Sequence, residues 1–166
     1  MSGVNNRYED TGGLASGQKG NSKGGTVGLL KACNAGVLGA CSQLDKANQH
    51  DLSITLRFIK KTYPGIMQPF GGNLPSITFT KSMKFWEKYA GVTKTFSGDI
   101  VLSSGYDSLG NLAGTLGHEL LHSGDGFWGR METRFDDIFS PIPPMGLGIR
   151  HTEIHRFGNV IERSYK

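Results

Sequence analysis

The stretch "LGHELLHSGD", residues 116–125, determines how the rest of this chain is interpreted. His118 and His122 lie four positions apart, so on a helix they face the same side, one turn from each other. Two imidazole rings placed in this way can bind one metal ion, and tetrahedral zinc accepts such nitrogen ligands. Glu119 follows the first histidine, so its carboxylate lies beside the metal, where it can take a proton from water. The less specific alternative is a polar helix face with two unrelated histidines.

The sequence around the motif carries the usual signals of a helix. Asp107 or Ser108 can cap a helix that begins at about Leu109 and ends at His122. Gly124 is then expected to end this helix in the left-handed conformation. The motif is therefore predicted to lie on a helix rather than in a loop.

The rest of the chain shows both helix and strand patterns. Alternating apolar residues predict strands, whereas apolar residues three and four apart predict helices. These patterns predict strands at residues 51–58, 75–80 and 99–104, a short helix at residues 81–91 closed by Gly91, and a last helix from about Ile149 to Arg163. This order predicts an α+β fold with a short mixed sheet and a C-terminal helix.

The two cysteines fall within the first predicted helix. The apolar face of this helix recurs at three- and four-residue steps and is formed by Leu30, Cys33, Val37, Cys41 and Leu44. On a helix, the separation of Cys33 and Cys41 corresponds to roughly 12 Å, whereas a disulfide needs Cα atoms within about 7 Å of each other. We therefore expect buried thiols rather than a disulfide.

The composition limits the class of protein. Hydrophobic residues make up 37% and charged residues 19% of the 166 residues, as in a globular domain. Residues 1–25 are rich in Gly, Ser and Asn and predict a flexible leader, which leaves residues 26–166 as a single domain. The net charge of +4 permits an acidic partner without requiring one, and no nucleic-acid partner is expected. No apolar run reaches the roughly 18 residues of a membrane span, and the N-terminus lacks a signal-peptide pattern.

The segment from "DIVLSS" to "SLGNLAGTLGHELLHSGD" resembles the core of the zincin metallopeptidases. In that superfamily an edge strand pairs with an extended peptide substrate, and a helix carries two histidine ligands and the glutamate base. The resemblance covers residues 99–163 and implies a zinc-dependent peptidase with Zn²⁺ as its cofactor and Glu119 as the catalytic base. It also implies that three strand residues lie along the substrate cleft: Ile100, Val101 and Leu102.

A zinc site of this kind needs a third protein ligand. The metzincin pattern would place glycine and histidine where this chain has Asp125 and Trp128, so the chain is not a metzincin. The segment "RHTEIHRFGNVIER", residues 150–163, is the better source of the third ligand. It offers three candidates: His151, Glu153 and His155.

The periodicity of the last helix favours Glu153 as this ligand. Its buried face is predicted to contain Ile154, Phe157, Val160 and Ile161. Glu153 falls on that face, His155 falls well off it, and His151 lies at its margin. A buried, unpaired glutamate is costly, and a bound metal would explain its position. His151 and His155 stay open as alternatives, and the acidic residues are less favoured: Asp125, Glu132, Asp136 and Asp137.

A glutamate on a second helix followed by "FGN" resembles gluzincin-like toxin and effector peptidases. These are often C-terminal domains of bacterial polymorphic toxins, including the Rhs type. The resemblance implies a protein or peptide substrate, secretion or delivery into a target cell by a non-classical route, and a cognate immunity protein. Two alternatives stay open: a zinc amidase acting on peptidoglycan peptides, and a non-catalytic basic binding module.

Overall fold

The structure is a computed structural model that describes residues 25–131 and 148–165, with the side chains of the last helix described from Glu153 onward. The helices are α1 (Val27–Asn34), α2 (Ala40–Thr62), α3 (Met83–Lys88), α4 (Leu109–Gly124) and α5 (Gly148–Ser164), with a 3-10 helix at Pro64–Phe70, and the strands are β1 (Ile77–Thr80), β2 (Gly91–Thr93) and β3 (Ile100–Ser103). Residues 126–131 are helical as well. The predicted α+β class with a short mixed sheet is confirmed. The predicted leader lies outside the described residues except for Gly25.

In residues 25–131 and 148–165, no helix combines the length and the apolar character that crossing a membrane requires.

The three strands form one mixed sheet in the order β1–β3–β2. β3 pairs in parallel with β1, with Ile77 opposite Ile100, and antiparallel with β2, with Val92 opposite Val101. Ile100 and Leu102 are fully buried. The expectation that these residues lie on an edge strand is therefore wrong, whereas the substrate cleft along Ile100, Val101 and Leu102 stays a prediction. Strands β1 and β2 flank β3 on both sides, so β3 is the central strand of this sheet.

The predicted first helix is in fact two helices, α1 and α2. The chain turns between them at Gly36 and Gly39, whose φ angles are 77° and 78°, a conformation that glycine adopts at no steric cost. The turn brings Cys33 and Cys41 to a Cα–Cα distance of 4.6 Å, and the two residues form a disulfide. The prediction of free thiols was wrong because it treated the two glycines as small helix residues rather than as a turn.

Residues 51–58 lie inside α2 and are not a strand. The alternation of apolar residues was misleading because α2 buries polar side chains at three- and four-residue spacing, among them Asn48, Asp51 and Thr55. The hydroxyl of Tyr106 donates to Asp51 Oδ2 at 2.7 Å, and Thr55 Oγ1 donates to the backbone oxygen of Asp51 at 2.8 Å. These hydrogen bonds explain how the helix can turn Asp51 and Thr55 towards the core.

The short helix α3 is confirmed, but its predicted glycine stop is not. Ser82 caps α3, since its Oγ accepts a hydrogen bond from the backbone nitrogen of Phe85 at 3.2 Å. The helix ends at Lys88, and Gly91 opens strand β2 instead. A Cβ atom on Gly91 would lie only 3.0 Å from Cγ of Glu119. Glycine at this position therefore allows β2 to lie directly against the helix that carries the motif.

Candidate metal centre

The motif lies on helix α4, Leu109–Gly124, close to the predicted limits. Ser108 caps this helix as expected, because its Oγ accepts a hydrogen bond from the backbone nitrogen of Asn111 at 3.0 Å. The predicted stop is displaced: Gly124 is the last residue of α4, and the positive φ of 69° belongs to Gly126. The helix therefore extends past both motif histidines and holds them on regular backbone.

Helices α4 and α5 cross closely at a set of glycines. A Cβ atom on Gly114 would lie 2.8 Å from the backbone oxygen of Gly158, and one on Gly117 would overlap Cδ1 of Ile161. Gly158 in turn faces His118, whose Cβ would lie 3.3 Å from a Cβ added at Gly158. Because no side chain intervenes, α5 lies directly against the turn of α4 that carries the first motif histidine.

The two motif histidines face each other on the same side of α4. Their Nε2 atoms are 3.1 Å apart, and their ring centroids are 4.6 Å apart. His122 is buried and His118 is half-buried. Two nitrogen ligands of one tetrahedral zinc ion, each bound at about 2.0–2.1 Å, would lie roughly 3.4 Å apart. The spacing of His118 and His122 is therefore close to what a shared zinc ion requires.

Glu119 is buried where α4 meets strand β2. The hydroxyl of Thr93 donates to Glu119 Oε2 at 2.7 Å and also lies 3.0 Å from the backbone oxygen of Glu119. Burial raises the pKa of this carboxyl group to about 7, while the hydrogen bond from Thr93 opposes the rise. A carboxyl group with such a pKa can both accept and return a proton at neutral pH.

Helix α5 brings a third imidazole ring, that of His155, to this pair. Its centroid lies 4.4 Å from that of His118, with the ring planes at 47°, and its side chain is exposed. His155 precedes Gly158 by three residues, so it lies on the face of α5 that crosses α4. Gly158 is the feature of the sequence that marks this face of α5. A prediction from apolar periodicity alone overlooks it, because glycine has no apolar side chain.

Glu153, which the periodicity favoured as third ligand, lies on another part of α5. Its side chain is exposed, and with Asp125 it lines a cavity. The predicted buried face is wrong at Val160, which is 50% exposed, whereas Ile154 and Ile161 are buried. The argument that a metal must explain a buried Glu153 therefore fails.

The imidazole groups of His118 and His122 are spaced as two ligands of one zinc ion would be. A third protein ligand would require either a movement of a nearby side chain or another residue. Among the side chains that the structure describes, no three His, Cys, Asp or Glu groups are already arranged to hold a metal ion. The His155 ring lies against that of His118, and imidazole is a ligand type that suits zinc. The remaining candidates lie outside the described side chains: His151, Glu132, Asp136 and Asp137.

Strand β2 contributes two residues that the sequence analysis missed. Gly91 allows the close contact with Glu119, and Thr93 binds its carboxylate. Within residues 25–131 and 148–165, β2 is the outer strand of the sheet on this side. A strand of three residues is too short to show an alternating pattern. The role of Thr93 is therefore visible only from its position in the structure.

No family model, curated protein or solved structure gives a significant match to this chain.

Proposed function

We propose that this protein is a zinc-dependent metallopeptidase. The observation that carries the proposal is the 3.1 Å separation of the Nε2 atoms of His118 and His122 on α4, with the carboxyl group of Glu119 buried on the same turn. His155 is the proposed third ligand, because its ring lies 4.4 Å from that of His118. The resemblance of the motif to that of the zincins supports the same reaction.

The proposed roles follow from the chemistry of each group. When bound, zinc supplies a Lewis acid that lowers the pKa of water toward about 7. Glu119 accepts the proton of the attacking water and returns it to the leaving amine. Thr93 orients the carboxylate through Oε2, so the proton transfer is assigned to Oε1.

The proposed substrate is an extended segment of a protein. Extended peptides bind by adding a strand to the edge of a sheet. Among the described strands β2 lies at the edge of the sheet, and its Thr93 contacts the proposed catalytic base. This arrangement supports the edge of β2, rather than Ile100–Leu102, as the wall of the substrate cleft.

The biological setting in this proposal rests on resemblance. A toxin or effector domain of the polymorphic type would be secreted or delivered into a target cell by a non-classical route. The producing cell would then need an immunity protein, and the edge of β2 is the surface that we expect such a partner to cover.

Hydrolysis of an unfolded protein tests the proposed activity. We expect the wild type to cleave it, a chelator to abolish cleavage, and added zinc to restore it. Glu119→Gln should lower kcat/KM by roughly 10²–10⁴-fold without changing the zinc content. The matched control is Glu87→Gln, which alters an exposed glutamate on α3 and should behave as wild type.

Two results would overturn this assignment. Full activity in Glu119→Gln would remove the proposed base. Hydrolysis of peptidoglycan peptides without hydrolysis of proteins would favour the amidase.

A further inference from the structure

Three aromatic residues form a cluster at the surface beside the end of α4. Phe96 lies in the turn between β2 and β3, and its ring centroid is 5.7 Å from that of Phe127. The ring of Phe127 meets that of Trp128 edge to face, with centroids 5.1 Å apart. Phe96 and Trp128 are each 80% exposed, whereas Phe127 is half-buried. We call these three residues the aromatic platform.

Hydrogen bonds fix the backbone that carries this platform. The guanidinium group of Arg130 donates through Nε to the backbone oxygen of Thr95 at 2.7 Å and through Nη1 to that of Ser123 at 2.9 Å. Ser123 Oγ in turn donates to the backbone oxygen of Gly98 at 2.7 Å. The turn between β2 and β3 is therefore tied to the end of α4. Because this backbone is already ordered, a ligand of the platform would not have to order it.

The platform continues the edge of β2 away from the proposed catalytic base. Thr93 is the last residue of β2, and its hydroxyl donates to Glu119 Oε2. Phe96 follows Thr93 by three residues, a separation of at most roughly 10 Å in an extended chain. A peptide that lies along β2 with its scissile bond at Glu119 would therefore reach the platform within about three or four residues.

We propose that the aromatic platform binds a large apolar side chain of the substrate, about three residues from the scissile bond. Such a side chain would cover the exposed rings of Phe96 and Trp128, and the removal of apolar surface from water would stabilise the complex. The preference should hold on one side of the scissile bond, because the turn between β2 and β3 lies beyond one end of β2. The choice of a peptide as occupant rests on the proposed peptidase function.

The first experiment maps the preference during cleavage. Matched peptides carry phenylalanine or alanine at one position at a time, and kcat/KM is compared. We expect phenylalanine to be favoured about tenfold at one position, on one side of the cleaved bond. The double variant Phe96→Ala with Trp128→Ala should lose this ratio while keeping its zinc content.

The matched control is Leu38→Ala, which removes an apolar side chain that is 99% exposed on the turn between α1 and α2. This variant should retain the ratio. Cleavage without a preference for phenylalanine at any position, or a preference that the double variant keeps, would overturn the role of the platform and leave the peptidase intact.

The second experiment measures binding without catalysis, in Glu119→Gln. The probe is an acetylated pentapeptide amide with phenylalanine at its centre and alanine elsewhere, and the control ligand is its all-alanine counterpart. NMR titrations observed on the peptide measure the affinity. We expect the phenylalanine peptide to bind about tenfold more tightly, and the addition of Phe96→Ala and Trp128→Ala should remove the difference.

The outcomes of this titration separate the platform from the peptidase. Equal affinity for the two peptides would overturn the platform, whether or not the wild type cleaves any peptide. Tighter binding of the phenylalanine peptide, in a protein whose wild type cleaves nothing, would overturn the peptidase and leave the platform as a peptide-binding surface. Binding of an N-acetylglucosamine oligosaccharide in place of either peptide would overturn the choice of a peptide as occupant.

Discussion

Glu119 shows how the fold sets the chemistry of a single residue. Glu119 is 6% exposed, and its carboxyl group accepts a hydrogen bond from the hydroxyl of Thr93. Because burial disfavours the charged form more than this hydrogen bond favours it, the pKa rises from 4.5 to about 7. The folded protein therefore holds this proton more tightly than the unfolded chain does.

This shift predicts how the stability of the metal-free protein depends on pH. Between about pH 4.5 and pH 7, the folded state keeps the Glu119 proton while the unfolded state releases it, so the free energy of unfolding falls as pH rises. The total loss is up to about 3 kcal/mol. Glu119→Gln, which stays neutral, should gain stability relative to wild type over this interval. Urea unfolding in the presence of a chelator measures the difference.

The control for this comparison is Glu87→Gln, which alters an exposed residue on α3. The difference between its free energy of unfolding and that of wild type should not show the same dependence on pH. A difference between Glu119→Gln and wild type that stays constant from pH 4.5 to pH 7 would contradict the buried, protonated carboxyl group.

At the scale of elements, the crossing of α4 and α5 determines which residue of α5 meets the motif. Gly114, Gly117 and Gly158 bring the two backbones together, and this contact places His155 against His118. The sequence predicted both helices within a few residues. It did not predict their contact face, because glycine contributes nothing to an apolar periodicity although it permits the closest approach.

Gly117→Ala tests this crossing. Its Cβ would overlap Cδ1 of the fully buried Ile161. The strain of about 1–3 kcal/mol should exceed the gain of about 1 kcal/mol from the helix preference of alanine. Ile161→Val removes Cδ1, so the double variant should recover part of the loss. A double-mutant cycle from urea unfolding measures this coupling, and strictly additive effects would contradict the close crossing.

For the whole molecule, the sequence predicted features that depend on local pattern and missed those that depend on distant partners. The motif helix, strands β1 and β3 and the last helix followed from periodicity and capping. The strand predicted at residues 51–58 failed because Asp51 is buried by its bond to Tyr106, which lies far away in the chain. The disulfide between Cys33 and Cys41 was missed because a turn, not a helix, connects them. The order of strands likewise depends on β2, which is too short to show a pattern.

Zinc content is the most direct test of the central claim that three histidines form a metal site. Wild type, His118→Ala, His155→Ala and Glu153→Gln are dialysed against zinc, freed of excess and analysed for metal, with folding checked by circular dichroism. We predict about one zinc ion per chain in wild type and Glu153→Gln, and its loss in both histidine variants. Zinc retained without His155 but lost without Glu153 would return the third position to the glutamate. No zinc in the wild type, or zinc retained without His118, would contradict the metal site itself.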